Sequence, residues 1–385
     1  MIDEYLLPLH DSLLNKVQLN IPNSFGEGIK LHTSKSFPNL SKAKIAILGI
    51  AENRGAQLKN SYKGLYLIRK ELYKLFSGQW HLQIVDLGNI KQGESVEDTY
   101  FALSSTVSLL VRKGLIPIII GGSQDLTYAN YKAYYALEQT VNLASIDSRF
   151  DLGTLATKSL SQSFLSKIIV EQPNNLFNFS NIGYQTHFNS QREIQLINQL
   201  YFDAYRLGEI NKDLCLVEPI LRDADIVSFD ISSIRQADAP ASLNSSPNGF
   251  YSEQACAIAR YAGISDKVSS FGIYEYLPEL DIKNLTAKLI AQIIWYFIEG
   301  VNNRANDYPY SSKEICEKFT VVLEHDEPLN FYKSTHSGRW WMEINVISNN
   351  KHKRHALIPC SYQDYKEALS LKIPKRWFKA AQKFT

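Results

Sequence analysis

Three stretches carry polar residues at the point where an apolar run stops: Ile119-Ile120-Gly121-Gly122-Ser123-Gln124-Asp125, Ser145-Ile146-Asp147-Ser148-Arg149-Phe150-Asp151 and Ser228-Phe229-Asp230-Ile231-Ser232. Carboxylates, an amide carbonyl and a hydroxyl are hard oxygen donors, so Asp147, Asp151, Asp230, Gln124 and Ser232 suit one hard ion such as Mg²⁺ or Ca²⁺. Arg149 opposes that reading, because a guanidinium is always protonated and has no lone pair to give. Other chemistries find less support. No Ser or Cys stands with a histidine in a recognised nucleophile motif. Gly121-Gly122-Ser123 belongs to neither GxxxxGK[ST] nor GxGxxG, which argues against nucleotide binding. His352-Lys353-Arg354-His355 spaces two histidines at i,i+3 but sits in a basic stretch without a nearby acid or thiol, so a metal role is not expected. Cys215, Cys256, Cys316 and Cys360 form no CxxC pair and match no zinc-module spacing; they read as reduced, buried thiols.

The elements that must position these residues alternate regularly. Lys44–Ile50, Leu82–Leu87, Leu115–Ile120, Asn142–Asp147, Phe179–Tyr184, Asp225–Asp230 and Lys267–Tyr274 are short apolar or β-branched runs, predicted as strands. Ser61–Phe76, Val96–Arg112, Ser252–Ala262 and Asn284–Gly300 repeat apolar residues at helical spacing. Continuous apolar strands between helices predict a parallel sheet covered on both faces, with ligands at the carboxyl ends of the strands. The alternation fades after Ala305. We therefore expect an α/β domain over 1–305 and a basic, aromatic-rich extension over 306–385, in which Phe331–Ile347 reads as an antiparallel pair.

Taken together, the three strand ends resemble the arginase/agmatinase/formimidoylglutamase (ureohydrolase) family, whose pattern is GGDH, then DAHxD, then SxDxD. Glu52–Arg69 resembles that family's Gly-rich entry loop, Val85–Ile90 its DLGD strand, and Asp238-Ala239-Pro240 with Pro247-Asn248-Gly249 its APG…GG loop. Ile273-Tyr274-Glu275, with Pro278 and Asp281, is similar to its EVNPxxD segment. The resemblance covers roughly residues 40 to 302 and implies a three-layer, mainly parallel arginase-like fold, a two-manganese site and trimers or hexamers. Its six ligand positions fall here on Gln124 for His, Asp147 for Asp, Arg149 for His, Asp151 for Asp, Asp230 for Asp and Ser232 for Asp. Three of these six differ, and each substitute is a poor ligand for a bridged metal pair. The expectation is that the Arg149 guanidinium pairs with two of the carboxylates and replaces the metal. The resemblance also makes Glu275 a substrate-facing carboxylate. The reading that follows is a catalytically inactive ureohydrolase-fold protein with a structural or protein-interaction role and no cofactor. Its alternative is a metal-dependent hydrolase of amidine or guanidine C–N bonds, or a ligand sensor, with a single Mg²⁺, Ca²⁺ or Mn²⁺ ion. A third is metal-free binding of an anion or amidine between Arg149 and Glu275.

Composition bounds the partners. Forty-one Lys and Arg against 39 Asp and Glu leave a formal +2, which gives no field for nucleic acid. A chain that is 45% hydrophobic and 21% charged can bury a full core. The opening MIDEYLLPLHDSLLNK does not read as a signal peptide, and the apolar run Leu285–Ile298 is broken by Thr, Lys and Gln; a cytoplasmic protein without a membrane span is expected. From Lys351 on, nine Lys and Arg face only Asp364 and Glu367. This reads as a solvated basic surface or as a docking face for an acidic protein, with Trp340, Trp341 and Trp377 as anchors.

Overall fold

The computed structural model describes residues 2–16, 21–153, 159–309, 316–323, 328–346 and 354–384. Eight parallel strands form its centre: β1 (Ala43–Gly49), β2 (Gln83–Ile90), β3 (Ile116–Ile120), β4 (Val141–Ile146), β5 (Leu176–Tyr184), β6 (Asp203–Arg206), β7 (Ile226–Asp230) and β8 (Ser270–Tyr274). They lie in the order β2-β1-β3-β8-β7-β4-β5-β6, and two short strands, Leu6–Leu7 and Lys30–Leu31, pair with β2. Because side chains alternate across a strand, Ile118 and Ile119 enter different cores. Ile118, Phe229 and Phe271 pack beneath the helices α1 (Lys63–Tyr73), α5 (Ser252–Ile264) and α6 (Leu285–Asn302), whereas Leu48, Ile119 and Leu143 pack beneath α2 (Val96–Arg112), α3 (Leu126–Lys132) and α4 (Phe164–Val170). The result is the three-layer arrangement that the apolar strands imply. Strand β6 and helices α3 and α4 have no counterpart in the sequence reading, since Asp203–Arg206 is short and polar and Leu126–Lys132 and Phe164–Val170 are brief.

A clamp fixes β2 to α1. Arg69, fully buried, donates from Nε and Nη2 to the two oxygens of Asp86 at 2.8 and 3.0 Å, and Tyr73 donates to Asp86 at 2.8 Å. The nearby carboxylate holds the Arg69 proton more firmly than usual despite the burial.

Residues beyond 305 form more than an antiparallel pair. Strands β9 (Cys316–Val322), β10 (Pro328–Ser334), β11 (Trp340–Val346) and β12 (Arg354–Cys360) make a four-stranded antiparallel sheet. Phe331, Met342, Ile344 and Ile358 form its core, against α7 (Tyr362–Leu369) and α8 (Lys375–Phe384). The three tryptophans are engaged within the chain. Trp340 stacks on Tyr365 with ring centroids 4.8 Å apart, Trp341 is buried, and the Trp377 indole donates to the Glu343 carbonyl at 3.0 Å. Part of the basic tail is also spent internally, as Lys379 Nζ lies 3.1 Å from Asp203 Oδ1. The His352 and His355 side chains lie outside the described residues. Of the cysteines, Cys256 and Cys360 are buried, Cys316 is half-buried and Cys215 is exposed, which corrects the expectation of four buried thiols. No helix among the described residues is long and apolar enough to cross a membrane.

Candidate active site

The carboxyl ends of β3, β4, β7 and β8 meet in one buried cluster. After β3 the chain turns through Gly121 and Gly122 at φ +91° and +76°. A side chain on Gly122 would collide with Leu126 and with the Glu52 carbonyl, so the close turn needs glycine. The turn delivers Gln124, whose Nε2 donates to Ser145 Oγ at 3.3 Å and Ser228 Oγ at 3.4 Å. Ser228 is the serine of the SxDxD-like stretch, whereas Ser145 shows in sequence only as a small hydroxyl beside the apolar end of its strand.

Asp147 follows β4, and its Oδ1 accepts the backbone N–H of Arg149 at 2.8 Å. Its Oδ2 is buried and receives no donor while its neighbours are ionised. Asp151 supplies one when protonated: burial first, and then the Asp147 charge, push the Asp151 carboxyl well above the usual carboxylate range. Asp230 ends β7, with Oδ1 accepting Ser232 N at 2.6 Å and Oδ2 accepting Ser232 Oγ at 2.7 Å. Burial, followed by the charges of Asp147 and Glu275, also raises its pKa well above normal. Glu275 ends β8 and accepts Gln124 N at 2.8 Å; burial pushes its carboxyl up to about 7, helped by Asp125 and Asp147. Asp151 and Glu275 both hold left-handed backbone, at φ +50° and +69°. Such strain costs roughly 1–3 kcal/mol per residue and concentrates at functional sites.

The structure brings Gln124, Asp147, Asp151, Asp230, Ser232 and Glu275 together around one centre. The sequence reading misplaces the Arg149 side chain. Arg149 does not pair with the carboxylates: its guanidinium carbon lies 4.5 Å from the centroid of the Phe188 ring, and Nη1 reaches the Phe188 carbonyl at 3.4 Å. The backbone explains this. Arg149 N is held by Asp147, and Arg149 O accepts Asn181 Nδ2 at 2.7 Å, which sends the side chain out toward Phe188. Burial holds the Asp147 carboxyl above the ordinary range, and the Arg149 charge opposes this only weakly. Asp125 also stands apart, taking a short hydrogen bond from the Tyr100 hydroxyl beside Gly55. The centre is thus a set of buried acids without a compensating guanidinium. Among the described residues, no three His, Cys, Asp or Glu side chains are placed so that they could hold a metal ion as they stand.

Comparison with known proteins gives this centre a context. The Arginase family model matches residues 43–299. Formimidoylglutamase from Streptococcus gordonii is 27% identical over 295 residues, covering 68% of this chain and 87% of its own length. The Staphylococcus haemolyticus formimidoylglutamase is 25% identical over 287 residues, covering 70% and 91%. Trypanosoma cruzi formiminoglutamase, crystallised with Mn²⁺, superposes with a TM-score of 0.63 at 20% identity over 70% of this chain and 97% of that one. These findings overturn two expectations. Relatives named as enzymes along most of their length argue against an inactive scaffold, and a neighbour crystallised with Mn²⁺ argues against a cofactor-free fold. The matched span is well over half of the 385 residues and contains all the strand ends just described, so the chain belongs to the arginase family.

Proposed function

We propose that this chain hydrolyses the C–N bond of a linear amidine of the formimidoyl class, using one hard cation held at Asp147, Asp151 and Asp230. The observation that carries the reading is the buried acid centre, which no side chain among the described residues neutralises and in which Asp147 Oδ2 needs either a proton or a cation. Two ions do not fit, because Gln124, Arg149 and Ser232 bring neither imidazole nor carboxylate to their positions. The donor types suit one ion, since three carboxylates with neutral oxygens nearby match the chemistry of Mn²⁺ or Mg²⁺, although the side chains must draw together to hold it. When bound, the ion supplies Lewis-acid polarisation.

The chain's own residues supply the rest. Surplus negative charge in a buried site favours a cationic amidinium over a neutral amide. Glu275 is fixed by Gln124 N at Oε1 and by a side-chain hydrogen bond with Ser161, which hold its carboxyl in place while it keeps or releases a proton. A carboxyl pushed up to about 7 matches general acid–base work near neutral pH. Ser145 and Ser228 orient Gln124, and Ser232 fixes Asp230.

The test is release of free amine from N-formimidoyl-glutamate and from guanidino compounds by protein stripped with EDTA and reloaded with Mn²⁺ or Mg²⁺, with metal per chain measured by inductively coupled plasma mass spectrometry. The expected result is cation-dependent hydrolysis at one ion per chain, with both lost in Asp147→Asn. No turnover with any of these compounds at full metal loading overturns the proposal.

A further inference from the structure

A second centre lies at the opposite end of the sheet. Asn142 and Asp147 sit at the two ends of β4, five positions and therefore roughly 17 Å apart at about 3.3 Å per residue. Where the four-stranded sheet meets this amino end, a cavity of about 540 Å³ opens, lined by Asn142, Phe177, Arg222, Lys267, Trp341 and Leu357 among others. That volume is in the range of small-molecule sites. Its apolar wall follows from strand alternation. Met342, Ile344 and Ile358 turn into the core of the four-stranded sheet, so their neighbours Trp341 and Leu357 turn toward the cavity.

Two lining residues carry donors that no described residue engages. Arg222 is 6% exposed and Trp341 2% exposed. Arg222 donates from Nη2 to the Cys360 carbonyl at 2.9 Å, and its guanidinium carbon lies 4.5 Å from the Trp341 ring centroid. Among the described residues its Nη1 has no hydrogen-bond partner, and neither has Trp341 Nε1. Leaving buried donors unmade costs about 1–3 kcal/mol each, more when charged, so such a pair calls for an acceptor. The charges around Arg222 do not remove the demand. Glu218 lies 3.1 Å from Arg222 Nε, without hydrogen-bond geometry, and is shared with Arg339 at 3.4 Å. Lys267, the other lining cation, is occupied by Asp223 at 3.4 Å and Asp225 at 3.3 Å. Burial, together with the Arg339 and Arg376 cations, disfavours the Arg222 charge. That condition is relieved by an anion.

We propose that this cavity binds a small apolar carboxylate, its oxygens accepting from Arg222 Nη1 and Trp341 Nε1 and its hydrocarbon body lying against Phe177 and Leu357. The site is separate from the acid centre, whose surplus negative charge suits cations.

The experiment is isothermal titration calorimetry of the full chain with octanoate and, as the uncharged counterpart, 1-octanol. Octanoate should bind at one site per chain and at least ten times more tightly than octanol. Arg222→Met should weaken octanoate about ten- to a hundredfold and leave octanol unchanged, as expected for loss of a charged hydrogen bond. Trp341→Phe keeps the ring, removes only the N–H, and should weaken octanoate several-fold. Equal binding of octanoate and octanol by the unmodified protein, or binding of neither, overturns the proposal without recourse to a variant. Undiminished octanoate binding by folded Arg222→Met also overturns it.

Discussion

Glu275→Gln tests the electrostatics of the acid centre with the least structural disturbance. Gln keeps the shape and a carbonyl oxygen to accept the Gln124 N–H, and it inherits the same left-handed backbone. The Glu275 carboxyl titrates at about 7 in the folded chain against an ordinary 4.5, raised first by burial. A raised pKa means that the folded protein keeps the proton when the unfolded chain has released it. The penalty is therefore absent below about pH 4.5, grows as pH rises, and is complete above about pH 7. At about 1.4 kcal/mol per pH unit, this one group removes about 3 kcal/mol of stability across that window. Gln has no charge to bury, so metal-free Glu275→Gln should match the parent at pH 4.5 and exceed it by about 3 kcal/mol at pH 8. Urea unfolding in EDTA at pH 4.5, 6, 7 and 8 reads the difference directly. Parallel pH profiles for the two proteins would refute the buried-carboxylate reasoning. Adding Mn²⁺ to the parent at pH 8 should recover stability, because a ligand that binds only the folded state stabilises it by mass action.

Three further outcomes follow from the geometry. Arg149→Met should cost only about 0.5–1 kcal/mol in urea unfolding, the worth of a cation–π contact; a cost of about 3–5 kcal/mol would mean that the guanidinium is a buried ion-pair partner after all. Arg69→Met should cost about 3–5 kcal/mol in the same assay, since Asp86 would be left buried without its ion-pair partner, and a loss under about 1 kcal/mol would contradict the clamp. The triple substitution Gln124→His, Arg149→His and Ser232→Asp restores imidazole and carboxylate donors at the three divergent positions. It should raise bound manganese from one to two ions per chain by mass spectrometry; an unchanged count would show that more than these side chains separates the centre from a two-ion site.

The sheet was legible because its signals are redundant. Ile116–Ile120 and Ile226–Asp230 are apolar at every position but the serine and the final acid, helices separate the runs, and a parallel sheet is the arrangement that buries such strands on both faces. Strand-end acids then converge as a matter of topology, which is why Asp147, Asp230 and Glu275 were found from sequence. The 203–206 strand was invisible for the opposite reason. Asp203-Ala204-Tyr205-Arg206 has no apolar run, and what holds it is an edge pairing with Ser180–Tyr184 and the tail cations around Asp203. The extension likewise spoke of aromatics and β-formers but not of their use. A tryptophan fit to anchor a partner is equally fit to stack on Tyr365 within the same chain.

The error at Arg149 has a sharper lesson, because it carried the expectation of inactivity with it. Residue type fixes what a side chain is able to ligate, and Arg149 cannot ligate a metal. It does not fix direction. Two backbone hydrogen bonds, to Asp147 and from Asn181, turn the side chain toward Phe188, and neither is visible as a pattern in sequence. Once the guanidinium is outside, the charge count changes sign in its consequence. Three acids around an internal arginine would be a closed structural knot, whereas the same acids without it are a buried surplus of negative charge that only protons or a cation neutralise. The raised carboxyl pKa values are the trace of protons in that role, and competition between those protons and a divalent ion makes cation loading strengthen with rising pH. Under the proposed single-ion reading, Mn²⁺ titration between pH 6 and 8 should show affinity rising with pH, and an affinity that is flat or falls with pH would overturn the exchange of protons for the ion.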